Sequence, residues 1–76
     1  MLIAEMRNRL SCLGWKTFDN GRQLANGRWW LFAQSCRHTI VALADSRQEA
    51  WSAACAMALK LTRNGWAHVV YVDPRD

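Results

Sequence analysis

Apolar residues recur every third or fourth position at the start of the chain and every second position soon afterwards, and this change of period separates helix from strand. Leu2, Ile3, Met6, Leu10 and Leu13 form one stripe of a helix whose other side carries Glu5, Arg7 and Arg9. Gly14 follows, where a left-handed residue closes a helix without steric cost. From Trp15 the period is two: Trp15 and Thr17 share one face of a strand, Lys16 and Phe18 the other. Asn20-Gly21 signals a tight turn, and a second such pair, Asn26-Gly27, precedes the apolar run Trp29 to Ala33. The first hairpin therefore has either a long loop or a short extra strand over residues 22–25.

A polar connector, Gln34-Ser35-Cys36-Arg37, leads to a third strand over residues 39–44, built on Ile40, Val41 and Leu43. Ser46 and Glu49 then stand at capping-box spacing and predict the start of a second helix, which runs to about residue 63. Its core stripe is Ala50, Ala53, Ala54, Met57, Ala58 and Leu61, so small side chains allow close approach to a sheet whose larger residues supply the bulk. Asn64-Gly65 ends the helix, and residues 66–72 read as a closing strand with no charge between Trp66 and Asp73. The expected fold is a single small α+β domain over residues 1–76: helix, three-stranded antiparallel sheet, helix and C-terminal strand, or α-β-β-β-α-β.

Helix, three strands and helix is the order of the double-stranded RNA-binding domain. The segment Ser46-Arg47-Gln48-Glu49-Ala50, continued by Ala53-Ala54 and Met57-Ala58-Leu59, resembles that family's second helix. The resemblance covers roughly residues 2–63 and implies duplex RNA as a ligand, gripped at the phosphates by basic residues opening that helix. Arg47 keeps the charge at these positions, Gln48 loses it, and Trp51 stands where a third positive residue belongs. The family's hairpin-loop Gly-Pro and His pattern has no match between Asn20 and Gly27, and the closing strand is an addition. Losing about two phosphate contacts weakens binding strongly at physiological salt. In domains of this type that have lost the basic residues, protein contact or dimerisation is the commoner role.

Composition sharpens this picture. Half of the 76 residues, 51%, are hydrophobic, five of them Trp, in a chain short enough to bury only about 60% of the surface it exposes unfolded. Some of that apolar load belongs at a partner site. Trp29 and Trp30 are neighbours on one strand and point to opposite faces. If both helices cover one face, the other carries either Trp30 with Phe32 or Trp29 with Leu31, with Arg28 nearby, or else loops and the closing segment cover it. Trp51 lies beside the core stripe of helix 2, where it either packs against the hairpin or binds something. Trp30, Trp51, Trp66 and Tyr71 are the candidate partner-binding residues of a self-associating, non-enzymatic protein-interaction module. The alternative is binding of double-stranded RNA or other nucleic acid through Arg7, Arg9, Arg28, Arg47, Lys60 and Arg63, drawn from a net charge of +4.

Catalytic and cofactor chemistry has no motif here: there is no nucleophile elbow, paired carboxylate or glycine-rich phosphate loop. Cys36 and His38, with Cys12, Cys55 and His68, lack the close ligand pairs of a zinc site. Neither a metal, a cofactor nor a small-molecule substrate is expected. An odd number of widely spaced cysteines, three, fits reduced thiols in the cytoplasm. The N-terminus meets a charge at Glu5 before any signal-peptide core develops, and no apolar run reaches membrane-spanning length. The expectation is a cytoplasmic chain with no membrane contact.

Overall fold

The computed structural model describes residues 2–18, 20–36, 38–61 and 68–73. The elements follow the expected order: α1 (Ile3–Cys12), β1 (Lys16–Thr17), β2 (Arg22–Gln23), β3 (Trp29–Gln34), β4 (His38–Ala44), α2 (Arg47–Leu61) and β5 (His68–Val72). The protein is α+β. Residues 62–63 of the expected helix and 66–67 of the expected strand lie outside the described residues.

The end of α1 is fixed by its glycine. Gly14 has φ +87° and its N–H donates to the Ser11 carbonyl, while the Trp15 N–H reaches back to the Leu10 carbonyl at 2.8 Å. This pair of bonds is a Schellman closure, and its apolar partners, Leu10 and Trp15, are both buried. At the start of α2, the Ser46 hydroxyl accepts from the Glu49 backbone N–H at 3.1 Å, the cap expected from the sequence.

β1 and β2 both pair antiparallel with β3. Thr17 stands opposite Ala33 and Arg22 opposite Trp30, so the ladder breaks between Thr17 and Arg22 while only Leu31 and Phe32 separate their partners on β3. The two short strands are one strand interrupted by a two-residue bulge. Asn20-Gly21 thus belongs to this bulge and not to a hairpin turn. Gly21 has φ +104°, a left-handed conformation that L side chains rarely adopt, which is why glycine stands there. The reversal occurs at Asn26-Gly27, where the Gly27 N–H donates to the Leu24 carbonyl and the Leu24 N–H to that of Arg28. Residues 22–25 resolve into two residues of strand, Arg22–Gln23, and the beginning of that turn.

The sheet runs β1-β3-β4-β5, with β2 also on β3. β3 and β4 are antiparallel, whereas β5 pairs parallel to β4, with Ile40 opposite Val70 and Val41 opposite Tyr71. A parallel neighbour requires a crossover, and α2 supplies it.

Both helices pack on one face. Leu31 and Ala33 of β3 and Ile40, Ala42 and Ala44 of β4 are fully buried with Met6 and Leu10 of α1 and Ala50, Ala54 and Ala58 of α2. The alanines let α2 lie close to the sheet, as its spacing predicts. Part of the bulk comes from α2 itself. Trp51 is the largest completely buried side chain, and its indole N–H donates to the Asn20 carbonyl at 3.0 Å. Trp51 therefore fills the core and braces the bulge, the first of the two alternatives its position left open, and its place among the candidate partner-binding residues is corrected. One residue beyond the alanine stripe is close enough for a long side chain to fold back into the core, and the indole finds the polar partner it needs when buried.

Candidate functional site

Strand alternation determines what the other face of the sheet presents. With Leu31 and Ala33 turned toward the helices, Trp30, Phe32 and Gln34 point away. Register then aligns Trp30 with Leu43, Phe32 with Val41, and Val41 with Tyr71. Val69 lies beside Thr39, while Lys16 and Arg22 border the face opposite Gln34 and Trp30. The result is an apolar surface across the sheet, on the side away from both helices.

Its centre is an aromatic row. The Trp30 and Phe32 rings stack at 5.8 Å with 27° between their planes, and Phe18, leaving β1 at the bulge, tilts against Phe32 at 5.4 Å. The Arg22 guanidinium lies 5.7 Å from the Trp30 ring centre. Phe18 is 60% exposed and Tyr71 74%, values that mark the two sides of the row as open to contact. Val69 is also exposed, at 54%, and Trp30, Phe32 and Leu43 are half-buried.

One end of the face is closed by a charged clamp. Arg28 donates through both terminal nitrogens to the Asp73 carboxylate, each at 2.8 Å, and its Nε lies 3.4 Å from Asp45 Oδ1. Asp73 follows β5, Asp45 follows β4, and Arg28 precedes β3, so the bidentate pair ties β3 to β5 and the Asp45 contact adds β4. The Asp73 hydrogen bond raises the Arg28 pKa further above its ordinary value, with burial opposing and the charge of Asp45 assisting. Arg28 belongs to this clamp and not to a nucleic-acid contact set, because its charge is already matched by two carboxylates.

Of the proposed partner-binding residues, Trp30 and Tyr71 share the open face, Trp51 lies in the core, and Trp66 lies outside the described residues. Of the basic set, Arg7, Arg9, Arg47 and Lys60 are exposed, and Arg63 lies outside the described residues. Arg7 covers the Trp51 ring at 5.5 Å and Arg47 covers Trp29 at 4.6 Å. Both flank Asn20-Gly21: the Asn20 carbonyl holds Trp51, and Gly21 abuts Arg47. Phe18, Val69 and Arg22 complete the face; Val69 belongs to the uncharged closing strand, whereas Phe18 and Arg22 were not singled out by sequence. The period-two pattern at Lys16-Phe18 carried the signal for Phe18; register, which places Val69 and Arg22, is not written locally.

A second apolar feature is a groove of about 170 Å³ between the helices, lined by Leu10, Leu13, Cys55 and Leu59 with Arg9 and Gln48 at its margin. Cys55 donates its thiol to the Met6 carbonyl at 3.5 Å, and burial pushes its pKa up against the pull of Arg9, so the thiolate is disfavoured. Cys12 and Cys36 are exposed, and His38 is buried with its ring 6.3 Å from Trp15. Among the described residues, no three His, Cys, Asp or Glu side chains gather as metal ligands, and no helix is long and apolar enough to cross a membrane. Comparison with protein-family models, curated proteins and solved structures finds no match to this chain.

Proposed function

We propose that this protein is a non-enzymatic interaction module that associates with a second copy of itself through the open sheet face and the β5 strand bordering it. The observation that carries this reading is the row Phe18, Phe32 and Trp30, continued through Val41 to Tyr71, on the face that neither helix covers. Aromatic anchors in an apolar field, rimmed by charge, are the composition of an interface centre. The three free cysteines are compatible with a reducing, cytoplasmic setting. Sedimentation equilibrium over a concentration series tests the reading, and a molar mass that stays monomeric throughout refutes it.

A second reading is favoured by one specific arrangement, the arginines seated on Trp51 and Trp29 at either side of Asn20-Gly21. A guanidinium held over an indole keeps its edge for phosphate while losing little freedom on binding. On this reading the ligand is duplex RNA, the class implied by the likeness of residues 46–61 to the RNA-binding helix, or another nucleic acid. Arg7→Ala and Arg47→Ala each then reduce RNA affinity at low salt, and each lowers the slope of log affinity against log salt by about one. Absence of binding to duplex RNA at low salt excludes it.

A further inference from the structure

Resting on the self-association reading, we infer that two copies join edge to edge, with β5 pairing antiparallel to β5 about a two-fold axis at Val70. The partner is a second copy of this chain, and the argument starts from the unequal treatment of the two sheet edges. On one side β1 and β2 are two residues each, separated by the bulge between Thr17 and Arg22, and they carry Lys16 and Arg22. Short strands, bulges and positive charge are the devices that stop an edge from pairing. Among the described residues, the other edge has none of them. β5 is five residues, His68–Val72, without Lys, Arg, Asp or Glu, and among the described residues it has a sheet neighbour on one side only.

The strand is also self-complementary. A two-fold axis at Val70 places Val69 of each copy opposite Tyr71 of the other, giving two aromatic–β-branched cross-strand pairs. Both residues lie on the open face and are exposed in the single chain. The Arg28–Asp73 clamp holds the end of β5 against β3 and β4, so the edge is ordered before its partner arrives. Edge pairing leaves Lys16 and Arg22 at the far margins of the joined sheet, whereas stacking the two faces presses these cations against apolar surface at a desolvation cost. The two open faces become one continuous surface. A five-residue strand pair falls short of the roughly 1,200 Å² of a standard interface, so the dimer is weak and depends on concentration.

The test is an isotope-filtered NOE experiment on the full chain, mixing labelled and unlabelled copies at millimolar concentration. The expected result is intermolecular contact between the Tyr71 ring and the Val69 methyls. Intermolecular contacts from Trp30 or Phe32 without the Val69–Tyr71 pair overturn edge pairing and leave self-association standing. A monomeric sample with no intermolecular contact overturns both.

Discussion

Trp51→Ala is expected to remove about 3–5 kcal/mol of stability, the usual cost of emptying a buried Trp or Phe site. Total stability for a chain of this length is on the order of 4–11 kcal/mol, so the variant approaches the unfolding threshold. Three links converge on this side chain. It is completely buried among the alanines of α2, its N–H holds the Asn20 carbonyl, and Arg7 lies over its ring. The alanines cannot collapse into the vacancy, because they have no further side chain to extend. Trp51→Phe retains most of the packing and releases an Asn20 carbonyl that water can reach, so it should cost less than half as much. Urea denaturation of both variants provides the measurement. A loss below about 1 kcal/mol for Trp51→Ala would mean that this site is not the centre of the core.

Val69→Ser combined with Tyr71→Ser should do the opposite, leaving the fold standing while weakening self-association at least about tenfold. Both side chains are more than half exposed, so their removal costs folding little. In the associated state each stands opposite the other on the partner copy, and Ser offers neither the area nor the packing of these cross-strand pairs. Unfolding midpoints and the dissociation constant, measured on the same samples, separate these two effects. Unchanged association would place the contact elsewhere, with the groove between α1 and α2 as the next surface to test.

Local chemistry was legible in the sequence, and partnership between distant segments was not. The Gly14 closure, the Ser46 cap and the alanine face of α2 each depend on residues within about one helical turn and stand where the sequence puts them, whereas of the α1 stripe Met6 and Leu10 are buried and Leu2 and Leu13 are exposed. Opposite facing of Trp29 and Trp30 follows from strand geometry alone, and the open face takes the first of the two alternatives, Trp30 with Phe32. Register was harder. Nothing local distinguishes a turn at Asn20-Gly21 from a bulge, because both need a glycine with positive φ. Arg28 looked like a cation beside the aromatic patch, but its partner, Asp73, lies 45 positions away. Arg22 takes that place through its register with Trp30. The parallel pairing of β5 had a signal in the order strand, helix, strand, since a crossing helix is what a parallel neighbour requires.

The central claim is that the open face and its β5 border bring two copies together. Sedimentation equilibrium of the full chain from micromolar to millimolar concentration tests this most directly. The account predicts a weight-average mass that starts at 8.7 kDa and climbs toward twice that value. A mass of 8.7 kDa at every concentration contradicts it.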